Sequence, residues 1–355
     1  MKLEKLLRES VARKASDVYI TTGTKPIFRI HGELIPSEQE PVLSEEAARE
    51  YLLDLMSEAQ QKDFEANLDI DFAINIPDLA RFRVNVFLQR KGIGGIFRLI
   101  PSKIPTMEEL RLPDPFKKIP AFPNGLVLVT GPTGSGKSTT LSALIDYINT
   151  SEGDHIITIE DPIEFVYENK KSVVDQREIS SHTKSFQNAL RAALREDPDV
   201  ILVGEMRDLE TISLAITAAE TGHLVFGTLH TSGAAKTIDR IINVFPGERQ
   251  NQIRSELAET LRTIVWQQLL RRADGQGRIA AFEILFVTTA VSNLIRSNKI
   301  HEIPSAIETG AKEGMQTMPQ SIFPMLKEGI ISQEEALNNL PRDFSPGELQ
   351  RWLKQ

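Results

Sequence analysis

The chain contains no cysteine. Disulfides, thiolate metal sites and cysteine nucleophiles are therefore excluded, and a reducing compartment is permitted without being required. Long apolar runs are missing as well. Stretches such as 125–129 and 200–203 have strand length, far short of the ~20 residues that a membrane span needs. The opening MKLEKLLRES reads as a charged amphipathic helix start without the apolar segment of a signal peptide. Together these absences lead us to expect a soluble protein. Nor is there an excess of positive charge. Lys plus Arg number 41 against 49 for Asp plus Glu, a net charge of −8 with histidines neutral. With no interleaving of aromatic and basic residues, that balance argues against a nucleic-acid partner. Internal repeats and low-complexity tracts are absent too.

What remains is ordinary globular composition, 41% hydrophobic and 25% charged over 355 residues, a length that suggests two domains. Residues 1–105 read as an antiparallel α+β domain. Ser16 to Ile20 forms a weak strand, 26–34 a strand, a His31-Gly32 turn and a return strand, and 44–64 a helix with Ser44 at its N-cap. In 81–88, Phe82, Val84, Val86 and Leu88 face one way while Arg81, Arg83 and Asn85 face the other. Residues 101–124 carry six prolines, so 106–124 is expected to be a stiff linker. Beyond it, apolar strand-length runs at 126–130, 155–160, 200–204 and 223–229 alternate with helical segments at 137–148, 185–196, 208–221 and 234–243. Such alternation predicts an α/β domain over 125–355, with a mostly parallel sheet covered on both faces. From about 248 the chain reads as helical, apart from a strand pair near 277–286, with a carboxy-terminal helical region at about 290–355.

Gly131-Pro132-Thr133-Gly134-Ser135-Gly136-Lys137-Ser138 satisfies G-x-x-x-x-G-K-[ST] in full, between an expected strand and an expected helix. The glycines let consecutive backbone amides turn toward phosphate oxygens, and the helix start adds its positive dipole end. Lys137 is placed to reach the β- and γ-phosphates, the Ser138 hydroxyl to ligate Mg²⁺, and Thr139 extends the phosphate-facing turn. The loop is expected to bind a nucleoside triphosphate. Two acidic clusters end other strands. In 200–205, Val-Ile-Leu-Val-Gly-Glu, glycine stands where most such enzymes have aspartate, leaving Glu205 as the first carboxylate near the metal. The second is Glu160, Asp161 and Glu164, stiffened by Pro162, at a strand end where open α/β sheets place their ligands. Hydrolysis needs a carboxylate that accepts a hydrogen bond from the attacking water. The competing reading, acidic residues in a solvated loop, stands beside it. His230, at the end of a strand and followed by hydroxyls, can be read either as a γ-phosphate sensor or as a packed surface histidine. His31, His155, His182 and His301 lack such context, and no metal-ligand spacing occurs among the six histidines.

The loop 131–138, the acidic box 159–165, Gly204-Glu-Met-Arg-Asp208 and Thr221-Gly-His…Leu-His-Thr231 occur in that order. Together they resemble the four signature boxes of the type II/IV secretion ATPase superfamily, and within it the type IV pilus retraction ATPases of the PilT family. Supporting segments are Ala15-Ser-Asp-Val18, Arg81-Phe-Arg-Val-Asn85 and Gly314-Met-Gln-Thr-Met318. The likeness runs from about residue 3 to 340. It implies an amino-terminal PAS-like domain followed by a RecA-like P-loop ATPase domain. It implies Glu164 as the water-polarising glutamate, Glu205 as an atypical Walker B residue, and His223 and His230 as the His box. Arg81, Arg83 and Arg98 match arginines that reach the phosphates from a neighbouring subunit. From residue pattern alone Arg81 and Arg83 read as the solvent face of an amphipathic strand.

The resemblance further implies ATP and Mg²⁺ as cofactors, a homohexamer, a peripheral cytoplasmic position at the inner-membrane pilus base against a platform protein, and a paralogous motor as an additional partner. The chain departs from the family at Tyr19, where a histidine is usual, and at Pro319, where an acidic residue is usual. The function expected is that of an ATP-hydrolysing motor that retracts pili. Three alternatives accompany it: a related assembly or secretion ATPase, a nucleic-acid translocase, and a nucleotide-binding regulator without hydrolysis.

Overall fold

The computed structural model describes residues 2–30, 32–100 and 103–340. The expected turn residue His31, Pro101 and the terminal stretch 341–355 lie outside the described residues. Two units result, one of Met1–Lys103 together with Pro162–Val166, the other of Ile104–Asp161 together with the residues from Tyr167 onward.

In the first unit, α1 (Lys2–Ala12) leads to β1 (Asp17–Thr21), β2 (Ile27–Ile30) and β3 (Glu33–Pro36). Next come α2 (Glu45–Leu53), α3 (Glu58–Asn67) and the strands β4 (Asp69–Ile76), β5 (Ala80–Gln89) and β6 (Gly92–Ile100). The six strands form one antiparallel sheet in the order β3-β2-β1-β6-β5-β4. Its inner face buries Val18, Ile20, Phe28, Phe82, Val84, Val86 and Phe97 against Leu6, Leu7 and Leu52 of the helices. The expected single helix over 44–64 is two. Ser57 starts the second with a capping box, its hydroxyl accepting from Gln60 N while the Gln60 side chain accepts from Ser57 N. On the outer face Asp17 pairs in register with both Arg29 and Arg98, and Arg98 with Arg83. Tyr19, where the family has histidine, accepts hydrogen bonds from Arg29 Nε at 2.9 Å and Nη2 at 2.7 Å.

The second unit starts with residues 104–124. Met107, Phe116 and Ile119 are buried in the main core, and a 3₁₀ turn spans Asp114–Lys118. The proline-rich stretch is thus a packed part of this unit rather than a free-standing linker, because its apolar residues between the prolines bury more area than exposure would allow. There follow β7 (Gly125–Thr130), α4 (Lys137–Ser151), β8 (His155–Glu160), β9 (Val173–Glu178), α5 (Phe186–Ala193), β10 (Val200–Val203), α6 (Leu209–Glu220) and β11 (Leu224–Leu229). Then come α7 (Ala234–Val244), α8 (Gly247–Thr260), β12 (Leu261–Arg271), β13 (Arg278–Phe286), α9 (Thr289–Arg296), α10 (Ile303–Thr309), α11 (Met318–Lys327) and α12 (Gln333–Asn339). The seven strands are ordered β13-β12-β7-β11-β10-β8-β9, all parallel except β13.

Every residue of β7, β10 and β11 is buried, as a central parallel strand covered on both faces requires. Two strands depart from the sequence reading. The edge strand β9 is exposed at alternate positions, and β12 occupies a segment that reads as helix. At the carboxy terminus Met315, Met318, Ile322 and Phe323 are buried, so these positions are core. Pro319 sits in the first turn of α11, where its missing N–H breaks no helical bond.

Two expectations arise from this packing. A Cβ on Gly95 would lie 2.4 Å from Leu52 Cδ2, so Gly95→Ala forces the buried Leu52 side chain to repack between α2 and the sheet. A loss of about 1–3 kcal/mol is expected in denaturant unfolding, whereas Gly153→Ala, which meets nothing within 4 Å, leaves the midpoint in place. The second concerns Glu283 on β13, whose Oε1 accepts from Ala234 N at 2.8 Å at the start of α7. Burial raises its pKa above the ordinary 4.5, against the lowering effect of the Ala234 amide. A carboxyl with a raised folded pKa holds its proton more tightly in the native state. The wild type therefore loses stability as pH climbs from 4.5 through the folded value. Glu283→Gln keeps an acceptor for Ala234 and does not titrate. Its stability relative to wild type should rise with pH above 4.5 and level off below, as read from thermal midpoints across a pH series.

Candidate active site

The parallel register sets which loops meet. β11 lies between β7 and β10, so the loops that leave their carboxy-terminal ends are neighbours. Those loops carry Lys137, His230 and Glu205, and the structure brings all three together.

The phosphate loop runs from Gly131 to Gly136 between β7 and α4. Gly131, Gly134 and Gly136 have φ of 147°, 77° and 85°, in the region that side chains avoid. Space imposes the same choice at Gly131, where a Cβ would fall 2.3 Å from the Gln267 carbonyl oxygen. Helix α4 starts at Gly136 with no side-chain cap, so its first amides are left to face the loop. Lys137 is buried and donates from Nζ to the carbonyls of Gly131 at 2.9 Å and Pro132 at 3.1 Å. Its Nζ also lies 3.5 Å from His230 Nδ1. The other ring nitrogen, Nε2, is 3.7 Å from Glu205 Oε2, and Arg207 Nε is 2.7 Å from Glu205 Oε1. Lysine ammonium, imidazole, carboxylate and guanidinium thus form one chain. An ammonium donating to Nδ1 favours the tautomer with its proton on Nε2, facing the carboxylate.

Glu205 is held in place by its neighbours. The Thr228 hydroxyl donates to the Gly204 carbonyl, and Met206 N donates to Thr228 O at 3.0 Å, which fastens the turn after β10 to β11. Glu160, at the end of β8, is buried, and its Oε1 accepts from Thr158 Oγ1 at 2.7 Å and Gln176 Nε2 at 3.3 Å. Close by, burial and then the Glu160 charge push the Tyr167 hydroxyl well above its ordinary pKa. Glu164 belongs with Pro162–Val166 to the first unit. So do the three arginines. Arg98 Nε donates to the buried Asp17 at 2.8 Å, Arg83 lies 3.5 Å from Asp71, and Arg81 stands on the same outer face of β5.

The two histidines of the box stand apart. His223 precedes β11 and His230 comes after it, so six residues of strand, ~20 Å at ~3.3 Å each, separate them. His223 Nδ1 lies 2.9 Å from the Ala218 carbonyl at the far end of the sheet, and the structure keeps it out of the site. His155 and His182 are tied to Asp175 and to the Glu178 amide.

Sequence reasoning identified no base-reading residue. Beside the phosphate loop the structure has a cavity of about 520 Å³ lined by Thr139, Thr140, Leu269, Arg272, Arg278 and Ile279, among others. It lies between the first turn of α4 and the β12–β13 hairpin, and Arg278 Nη1 is 3.5 Å from the Gly134 carbonyl. A nucleotide with its phosphates on the loop has room here for its nucleoside. The available signal was the turn 272–277 between two strands, visible only once 261–271 is recognised as a strand.

For Mg²⁺, the donors on hand are the Ser138 hydroxyl and the Glu205 carboxylate. Both are oxygens suited to a hard cation. No group of three or more His, Asp or Glu side chains able to hold a metal by themselves occurs among the described residues.

Comparison with known proteins agrees with this architecture. The family described as type II/IV secretion system protein matches residues 1–338. A type IV pilus retraction ATPase, PilT, of Pseudomonas aeruginosa is 51% identical over 346 residues, 97% of this chain and 100% of that protein. A twitching motility protein of Neisseria gonorrhoeae is 52% identical over 331 residues, 93% of this chain and 88% of that one. Among solved structures, the pilus retraction motor PilT with bound ADP superposes with a TM-score of 0.90 at 46% identity, covering 98% of each chain. A complete phosphate loop, the Lys137–His230–Glu205 constellation and an end-to-end match of both units leave one conclusion: the chain belongs to the type II/IV secretion system protein family.

Proposed function

We propose that the chain is an ATP-hydrolysing motor that drives retraction of type IV pili. The observation that carries this reading is the meeting of Lys137, His230 and Glu205 beside a complete phosphate loop, in a chain 51% identical to a pilus retraction ATPase. The amides of 131–139 receive the phosphates. Lys137 exchanges the carbonyls of Gly131 and Pro132 for phosphate oxygens, which frees Nδ1 of His230 from its cation and lets the ring report on the γ-phosphate. Glu164 accepts the proton of the attacking water as its oxygen bonds to the γ-phosphorus and the bond to the bridging oxygen breaks. Ser138 and Glu205 would hold Mg²⁺, which would supply neutralisation of charge on the phosphate oxygens.

Arg81, Arg83 and Arg98 of a neighbouring copy in a homohexamer complete the charge balance. Fixed guanidinium groups in that role are worth ~10³ or more in rate. No helix among the described residues is long and apolar enough to cross a membrane. On this reading the chain is a peripheral motor in the cytoplasm that acts on an inner-membrane platform protein, with no nucleic-acid track. A paralogous ATPase is a further partner in keeping with the family, in which PilU of Pseudomonas aeruginosa is 42% identical to this chain.

ATPase turnover of the purified full chain tests the assignment. Lys137→Ala and Glu164→Ala should each lose at least ~100-fold in turnover. Cells lacking the protein should fail to twitch, and Glu164→Ala should not restore movement. Wild-type turnover in either variant would overturn the site, and a wild-type chain that binds ATP without hydrolysing it would leave the regulator in its place.

A further inference from the structure

Gln267 is a buried polar residue in the middle of β12, on a strand whose neighbours in register are apolar or hydroxyl residues of β7. Nothing in the chemistry described so far uses it, yet both ends of its amide are engaged. Nε2 donates to the Ser135 carbonyl at 2.7 Å, and Oε1 accepts from Thr140 Oγ1 at 2.7 Å. Its backbone carbonyl is the atom that a Cβ at Gly131 would strike, and its Nε2 lies 2.9 Å from where a Cβ on Gly136 would stand. One side chain therefore touches the phosphate loop at Ser135 and Gly136 and the first turn of α4 at Thr140.

We propose that Gln267 is a positioning residue for the nucleotide, setting the peptide between Ser135 and Gly136 so that the Gly136 amide faces the phosphates. This rests on the reading of the loop as a triphosphate site. The physical reason is peptide planarity. In a trans peptide the C=O and the following N–H point in opposite directions. With the Ser135 carbonyl anchored on the buried Gln267 side of the loop, the Gly136 N–H is turned to the opposite, open side, where an anion approaches. Without that anchor the peptide is free to rotate. Gly136 has no Cβ to restrict it, and rotation would present a carbonyl dipole to the phosphates in place of a donor.

Thr140 completes the device. A hydroxyl donates to the carboxamide oxygen, so the NH₂ end is the one directed at Ser135. The carboxamide orientation is thereby fixed by a residue one helical turn past Lys137. Leu269, two positions along the same face of β12, lines the nucleoside cavity. Phosphate grip and nucleoside pocket are thus registered by a single strand.

The experiment is titration of the full-length protein with mantADP, alongside kcat and KM for ATP. Gln267→Glu keeps the size and the acceptor for Thr140 but sets a carboxylate against the Ser135 carbonyl. Gln267→Met keeps the volume with no donor, and Thr140→Val removes the anchor of the amide. Thr140→Ser retains the hydroxyl. We expect Gln267→Glu and Gln267→Met to weaken mantADP at least tenfold and to raise KM by a similar factor, with kcat within about threefold. Thr140→Val should weaken binding at least threefold, and Thr140→Ser should match wild type. Near-wild-type mantADP affinity in a folded Gln267 variant overturns the proposal. Should both Gln267 variants fail to fold, an unchanged affinity in Thr140→Val overturns it instead. A fall in kcat alone, with KM and mantADP binding untouched, also counts against it. Absence of mantADP binding by wild type would overturn the underlying triphosphate reading and is distinct from every one of these outcomes.

Discussion

Backbone amides that must stay available to an anion are the constraint around which the second unit is built. Several helix starts elsewhere are closed by their own N-cap side chains: Ser44, Ser185, Asp208 and Thr288 each accept from an amide in the first turn, whereas α7, α8 and α10 lack such a cap. Helix α4 is not closed in this way, and its N-cap is a glycine in left-handed conformation. Gly131, Gly134 and Gly136 bring no side chain to hold that loop, so contacts from outside add to the Ser135 N to Pro132 O bond within it. Support comes from below through β12 and from the side through His230.

The surrounding electrostatics stem from the same constraint. An ammonium at the mouth of an amide cradle would repel the positive helix end unless it found acceptors. Lys137 finds the Gly131 and Pro132 carbonyls, which belong to the loop itself. Its third neighbour, His230, leads to Glu205 and on to Arg207, so charges alternate outward from the loop across β11 and β10. On the proposed reading Lys137 leaves these acceptors to meet a phosphate, which couples binding to the state of the histidine through geometry.

The phosphate loop was legible because its motif encodes backbone conformation directly, glycine at each position of positive φ and lysine at the helix start. His230 and Glu205 were legible because buried parallel strands show as apolar runs, and the residues just past their carboxy-terminal ends are displayed along one edge of the sheet. The failures have equally specific causes. In β12, Leu261, Thr263, Ile264 and Val265 are all buried, so no two-residue alternation appears, and Gln267 and Gln268 make the rest look like a solvated helix. Charged residues disguise β9 because it is an edge strand. The prolines of 104–124 signalled a linker, and they outweighed Met107, Phe116 and Ile119, whose spacing obeys no regular period.

Strand β12 carries one further consequence. Its alternate residues look in opposite directions, Gln267 and Leu269 toward the phosphate loop and nucleoside cavity, Trp266 and Leu270 toward the cluster of Met318, Ile322 and Phe323 in α11. A strand cannot slide by one residue without exchanging its faces, because side-chain direction repeats every two residues. The carboxy-terminal helices are therefore tied to the loop by an element with one permitted register, pinned on one side by a buried glutamine and on the other by an apolar cluster. Any change at the loop large enough to displace β12 must also disturb the packing of α11. Apolar packing of that density resists small shifts and yields only to a discrete rearrangement. The same density that makes the helices a fitting clamp for the site keeps the loop in its anion-binding form.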